Sequence, residues 1–256
     1  MKISTQLISG AGNTFHITWA NQNPEIEKLS AEQKKKIAAD ICDRNKADGF
    51  IFLKKESTYS WWFYNNDGSD AEMCGNATRC VGYFIKNIIG EDGPTWNLLT
   101  TAGPIKIEAL NSESYKISMT PIETLNSSHG AFYDTGVPHL IQELERFGDY
   151  LQKKSEAATL RFHKDFQPRG TNVTYVQLEN EANRLKAVSY ERGVENFTDA
   201  CGTGAMAAAM YNLIKRGSQQ TQVEMPGGTL MMDLSDLKNP QMTGPAVLLG
   251  TFEYEI

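Results

Sequence analysis

Two stretches of this chain share one pattern of apolar positions. After Cys74, residues Cys80, Phe84 and Ile88 recur four apart, with Val81, Ile85 and Ile89 beside them. After Cys201, residues Met206, Met210 and Ile214 recur in the same way, with Ala209 and Leu213 alongside. Spacing of three and four marks one face of a helix. Each pattern opens at a Cys-Gly pair and stops sixteen residues after its cysteine, at Gly90 and at Gly217. Glycine there suits a left-handed helix cap. The flanks repeat as well. A strand-like run precedes each cysteine, Tyr59 to Tyr64 in one case and Leu185 to Tyr190 in the other, and a Gly-containing turn leads into a strand after each helix (101–107 and 225–231).

The two cysteines lie 127 residues apart in a chain of 256. A period of half the chain predicts two similar domains, 1–122 and 123–249, with a last strand near 250–256 returning to the first. The join falls where Pro121, Ser127, Ser128 and Gly130 gather. Most other segments alternate or run apolar as strands do: 2–9, 14–19, 49–55, 96–101, 103–109 and 114–120, then 131–136, 172–178, 221–225, 228–234 and 246–254. Ser30 followed by Gln33 forms a capping box and predicts a helix to about Arg44. A second surface helix is expected within 139–161. The run Lys34-Lys35-Lys36 reads as a solvated helix face. The inventory predicts an α+β protein of two pseudo-symmetric domains, each a curved, largely antiparallel sheet around a central helix.

Composition narrows the class. A net charge of −6 argues against a whole-molecule role on nucleic acid or anionic membrane. No apolar run approaches 18 residues, and the first residues carry no signal-peptide pattern, so a cytoplasmic protein is expected. Four cysteines are too few for a disulfide scaffold. No zinc-type spacing occurs: Cys74 and Cys80 stand C-x5-C, and the histidines number four. No metal site is expected.

A cysteine at a helix start sits beside unpaired backbone N–H groups and partial positive charge. Its thiol is expected to fall from about 8.5 toward about 7. One such cysteine suits a hydrolase, but two at matching helix starts suit stereoinversion. One thiolate takes a proton from Cα, and the other thiol returns one to the opposite face. Helix starts are also anion sites, suited to a substrate carboxylate.

Seven motifs then occur in a telling order: Ser9 to Phe15 (SGAGNTF), Asn65 to Ser69 (NNDGS), Met73 to Asn76 with Arg79-Cys80, Tyr190 to Gly193 (YERG), Ala200 to Ala205 (ACGTGA), Pro226-Gly227-Gly228 and Met242 to Ala246 (MTGPA). Together they resemble diaminopimelate epimerase, over residues 9 to about 246. The resemblance implies an isomerase that interconverts LL- and meso-2,6-diaminopimelate for lysine and peptidoglycan synthesis, with no cofactor. Its partner is a small amino-acid substrate rather than nucleic acid or membrane, and a homodimer is compatible with it. It implies proton transfer by Cys74 and Cys201, assisted by His139 and Glu191. Backbone N–H groups of Gly75, Asn76, Gly202 and Thr203 are implied to bind the reacting carboxylate. Asn13, Asn65, Asn172 and Arg192 are implied to hold the rest of the substrate. Arg192 fits unaided, since guanidinium grips a carboxylate bidentately.

The motifs depart from the family pattern in three places. Val137 stands where Gly-Asn-Pro-His is usual, Thr14 replaces an acid, and Asn196-Phe197-Thr198-Asp199 fills a stretch that often carries Glu-Thr. None touches a proton-transfer residue. Val137 opens the alternative of a related amino-acid racemase with another substrate. A non-catalytic amino-acid-binding homologue is the alternative from another class.

Overall fold

A computed structural model describes residues 1–71 and 73–256. The backbone divides into two compact units, one of residues 1–117 with 244–256 and one of residues 118–243.

In the first unit, β1 (Lys2–Gly10) and β2 (Asn13–Trp19) form an antiparallel hairpin. Its turn places Ala11 and Gly12 at φ 57° and 101°, the sense that matches strand twist. A short α1 (Glu25–Lys28) and then α2 (Ala31–Asn45) carry the chain over to β3 (Gly49–Lys55), parallel to β2. β4 (Tyr59–Asn65) returns antiparallel. The helix α3 (Gly75–Tyr83) then crosses to β5 (Thr95–Thr100), parallel to β4, and β6 (Gly103–Ala109) and β7 (Ser114–Ser118) complete a meander. The C-terminal strand, Val247–Glu255, pairs antiparallel with β1.

The second unit repeats this order. After β8 (Glu123–Leu125), strands β9 (Phe132–Asp134) and β10 (Pro138–Glu143) pair antiparallel. The outer helix α4 (Lys154–Arg161) crosses to β11 (Asn172–Leu178), parallel to β10. β12 (Arg184–Glu191) returns, and a short β13 (Asn196–Thr198) lines its end. The central helix α5 (Gly202–Arg216) crosses to β14 (Gln220–Met225), parallel to β12, and β15 (Gly228–Asp233) and β16 (Gln241–Pro245) close the meander. Each sheet is therefore mostly antiparallel, with two parallel pairs where a helix makes the crossover that parallel strands require.

The central helices are wrapped on all sides. Gly75 through Gly82 are all buried, as are Gly204 through Asn212. Both end where the apolar pattern stops. α3 widens into π geometry over Phe84–Ile89 and ends at Gly90, and α5 ends at Gly217, each glycine at φ 75°. Ile88 and Ile214 lie beyond the wrapped turns, at 38% and 66% exposure, although their spacing placed them on the apolar face.

The outer helices build a second layer. Ala38, Ile41 and Cys42 of α2 pack on Phe50, Phe52 and Tyr64. Ala157 of α4 packs on Val173, Tyr175 and Val188. The capping box of α2 forms as expected, with both Ser30–Gln33 bonds made. One expectation changes. Lys34 is buried, not solvated: its Nζ donates to the Leu29 carbonyl at 2.6 Å and lies 4.4 Å from the Trp62 ring centre. Its stem covers apolar surface while the charge finds a carbonyl and a π face. The second surface helix lies within 139–161 as expected, at Lys154–Arg161, while the start of that stretch is strand, with His139 through Ile141 buried between β9 and β11.

Candidate active site

In the first unit, β4 ends at Asn65, and the chain turns through Asn65–Ser69 and enters α3 at Cys74, its N-cap. Cys74 is half-buried with extended backbone (φ −141°, ψ 123°), and its side chain does not cap the helix. Thr78 instead donates to the Cys74 carbonyl at 2.9 Å. Asn76 donates to Asn13 Oδ1 at 2.5 Å and accepts from Arg79 at 2.9 Å. The β1–β2 turn thus meets the helix start through three side chains in series. Gly10 allows this approach, since a Cβ there would sit 2.7 Å from the Asn76 carbonyl oxygen. Asn65 is exposed, and its amide donates to Ser69 Oγ at 3.0 Å within its own turn.

In the second unit, Cys201 occupies the matching place, with φ −136° and ψ 105°. Here the sulfur does cap the helix, accepting from Gly204 N–H at 3.4 Å, and it lies 3.4 Å from Thr203 Oγ1. Strand register explains what gathers around it. His139 of β10 pairs with Asn172 of β11, and Thr174 of β11 pairs with Ser189 of β12. His139 Nδ1 meets Thr174 Oγ1 at 2.8 Å, and its Nε2 meets Thr203 Oγ1 at 3.0 Å and the Asn172 amide at 3.3 Å. Thr174 continues to Ser189 at 2.9 Å. Asn172 Oδ1 accepts from Arg192 N–H at 2.8 Å, and the exposed Arg192 guanidinium donates to the Arg169 carbonyl at 2.6 Å. Thr198 of β13 donates to Glu191, the last residue of β12.

So Cys201, Thr203, His139, Asn172 and Arg192 form one hydrogen-bonded network, with Glu191 at the end of β12. Cys74, Gly75, Asn76 and Asn13 form another group within their own unit. Four participants escape the sequence reading. Arg79 is a lone charge on an apolar helix face, and Thr174 and Ser189 are polar residues inside apolar strands. Thr198 lies in the 196–199 stretch expected to touch no proton-transfer residue, and its bond to Glu191 overturns that expectation. Among the described residues one set of three candidate metal donors lies close together, His129, His163 and Asp165, and it shares no member with these groups.

Electrostatics separates the cysteines. Burial pushes the Cys201 thiol up, the Glu191 carboxylate adds to this, and bonds from Thr203, Gly204 N–H and Ser189 oppose it. The expected lowering at a helix start is outweighed here by desolvation. Burial, then the charge of Arg192, lowers His139 to about 3, so its imidazole is neutral at working pH. Burial also lowers His16 to about 4, in the first unit's core beside Thr5 Oγ1 (2.9 Å) and the rings of Phe252 and Tyr254.

A pH dependence of folding follows. Both histidines ionise less readily folded than unfolded, so the unfolded chain takes up protons first as pH falls below about 6.5. Their contribution is intact above that pH and is lost on acidification. Between pH 7.5 and pH 5 the loss is about 2 kcal/mol for each. Urea denaturation at the two pH values checks this, and an unchanged midpoint would refute it.

Comparison with known proteins adds relatives to this geometry. The family profile described as Diaminopimelate epimerase matches residues 9–125 and 131–249. A diaminopimelate epimerase of Aquifex aeolicus is 35% identical, with 93% of this chain and 92% of that protein covered. One from Hydrogenobaculum is 32% identical over 96% and 97%. Among solved structures, a phenazine biosynthesis protein of the PhzF family from Bacillus anthracis superposes with a TM-score of 0.78 at 14% identity, covering all of both chains. A hydroxyproline epimerase from Agrobacterium vitis gives 0.61 at 13% identity, over 99% of this chain and 91% of that one. Likeness at such identities is likeness of fold. Among the described residues no helix is long and apolar enough to cross a membrane.

Proposed function

We propose, since this chain belongs to the diaminopimelate epimerase family and is an isomerase, that it interconverts LL- and meso-2,6-diaminopimelate without a cofactor. The observation that carries this reading is a crossover helix built twice, each time with a cysteine as its N-cap. A single activated thiol explains only one of them.

In this reading one thiolate removes the α-proton and the other thiol supplies its replacement. The first N–H groups of α3 and α5, at Gly75, Asn76, Gly202 and Thr203, lack helical acceptors by position and stabilise the negative charge that develops on the reacting carboxylate. His139, held neutral, keeps the Thr203 hydroxyl in place beside Cys201 rather than carrying the proton itself. Glu191 disfavours a second negative charge at Cys201. Asn13, Asn65, Asn172 and Arg192 hold the remainder of the substrate, with Arg192 on the distal carboxylate.

Proton NMR in D2O tests this, with LL-diaminopimelate, reductant and no added cofactor. Loss of the α-proton signal with growth of the meso isomer is the expected result. No exchange in a folded, reduced sample overturns the assignment. Val137 supports a second reading. It is half-buried, apolar and next to Pro138, where an amide side chain is usual. A racemase of a simpler amino acid exchanges that substrate in the same assay and leaves diaminopimelate untouched. An amino-acid-binding homologue exchanges none.

Arg192→Met separates binding from chemistry. Loss of a charge-assisted contact costs about 1.5–3 kcal/mol, or about 10- to 100-fold in kcat/KM. The loss is expected mainly in KM, because the distal carboxylate is gripped equally in ground and transition states. An unchanged KM removes Arg192 from the site.

A further inference from the structure

Outside the two cysteine groups, the second unit brings two imidazoles and a carboxylate to one point. His129 lies in the connection between β8 and β9, and His163 and Asp165 lie in the connection between α4 and β11. One ring nitrogen of each histidine and one oxygen of Asp165 stand within 4.8 Å of one another. We propose that His129, His163 and Asp165 form a binding site for a late first-row divalent metal ion, zinc above all, which clips the two connections together. The sequence expectation of no metal site rested on ligand spacing. His129 and Asp165 are 36 residues apart in the chain, so only packing brings them together.

Both rings turn toward the same oxygen. Asp165 Oδ2 is 2.9 Å from His129 Nε2 and 3.6 Å from His163 Nδ1. Zinc bonds of about 2.0–2.2 Å to nitrogen and carboxylate oxygen, at tetrahedral angles, set ligand atoms about 3.3–3.5 Å apart. The two observed distances bracket that value, so small side-chain rotations bring the three atoms onto one ion. An ion pair explains only the shorter contact. The imidazole rings stand edge to face with centres 4.4 Å apart. One carboxylate pairs with one imidazolium, whereas a metal ion takes both rings as neutral ligands. Two imidazoles favour zinc, copper, nickel or iron over magnesium and calcium, which take oxygen ligands. All three side chains are partly open to solvent, which gives an ion its path in and a water its place in the fourth position.

The ligands stand on a fixed base. Phe166, next to Asp165, is buried with Phe132 and Leu140, and its ring centre lies 5.4 Å from that of His129 and 6.1 Å from that of His163. The His129 main chain is held twice: its N–H donates to Ser127 Oγ at 3.0 Å, and its carbonyl accepts from the Gln142 amide of β10 at 2.9 Å. Gly130 lets this loop close onto β10, since a Cβ there would sit 2.8 Å from the Ile141 carbonyl oxygen. His163 caps the 3-10 turn Lys164–Phe166, with its Nδ1 accepting from Asp165 N–H at 3.3 Å. Ligation at Nδ1 replaces that long bond with a metal bond. Support of this kind around the ligands is what fixes their orientation.

The experiment is a metal titration of the full chain, stripped of ions by a chelator and kept reduced with a phosphine, with cobalt(II) as the spectroscopic probe and zinc as its competitor. One cobalt per chain is expected, with ligand-field bands and no sulfur-to-cobalt charge-transfer band, and zinc is expected to displace it. Zinc at about 100 times its Kd is expected to raise the melting temperature by about 5–10 °C. His163→Ala and Asp165→Asn are each expected to weaken zinc binding by more than about 10-fold, the lower bound for disturbing even an outer-shell partner. No uptake by the folded chain overturns the proposal. A sulfur charge-transfer band, or a zinc affinity unchanged in both variants, places the ion elsewhere and overturns it as well. If His163→Ala does not fold, the nearly isosteric Asp165→Asn decides alone. Metal uptake needs no turnover, so this outcome is independent of the D2O exchange that tests the function.

Discussion

Replacing Cys74 or Cys201 by serine is expected to slow α-proton exchange by about 10²–10⁴-fold, the range for loss of a positioned acid or base. The argument is one of acidity at constant shape. A thiol ionises near 8.5 and becomes an effective base within reach of neutral pH, whereas a serine hydroxyl does not. Serine is also among the best N-cap residues. Each substitution should therefore leave its helix as stable as before, or more so, while removing the chemistry. That combination separates a catalytic loss from a folding loss. The double replacement should cost little more than either single one, because two groups that serve one proton relay fail together. Exchange rates from NMR in D2O and melting temperatures on the same samples check this. A Cys74→Ser protein that keeps a third of the wild-type rate would remove that cysteine from the proton path.

The repeat that carries this prediction was readable because a helix buried on all sides leaves a strong trace. Apolar spacing, the Cys-Gly start and the glycine stop each state the same boundary, and the structure places α3 and α5 within them. Strands were readable for a similar reason, since half-buried strands alternate. Pro138–Glu143 was not, because a strand buried on both faces reads as a short apolar run, which periodicity alone does not distinguish from helix. The candidate site was legible where the backbone makes it, at the helix starts Cys74-Gly75 and Cys201-Gly202. It was illegible where pairing makes it. Thr174 and Ser189 meet only because β11 and β12 pair in that register, and a polar residue in a strand looks the same whether its neighbour is a site or solvent. Lys34 and Arg79 show the limit on charge. Lys34 read as solvated and Arg79 stood in a motif with no role of its own, and both are buried against carbonyls.

Gly204→Ala is expected to damage stability and activity together, and a second substitution separates the two. A Cβ at Gly204 would stand 2.1 Å from Ser189 Oγ, 3.2 Å from His139 Cε1 and 3.3 Å from Cys201 Sγ. The first distance is far inside contact, and Ser189 has little room to yield, since it is fully buried and its hydroxyl is bonded to Thr174. Overpacking of this kind costs about 1–3 kcal/mol, a fall of about 2–4 °C in melting temperature for each kcal/mol in a chain of this size. Activity should fall further than stability does, by about 10²-fold, because a shift of 1 Å in a reacting group is enough for that. Removing the hydroxyl by Ser189→Ala relieves the worst contact, so the double variant should melt above Gly204→Ala alone. The two sites touch, and the double variant should cost less than the sum of the two single costs by more than the few tenths of a kcal/mol that distant pairs show. The rate should stay low in the double variant. The tight contacts to His139 and Cys201 remain, and Ser189 no longer supports Cys201 or Thr174. Recovery of both stability and rate in the double variant would mean that Ser189 acts only as a steric neighbour and has no part in holding the cysteine.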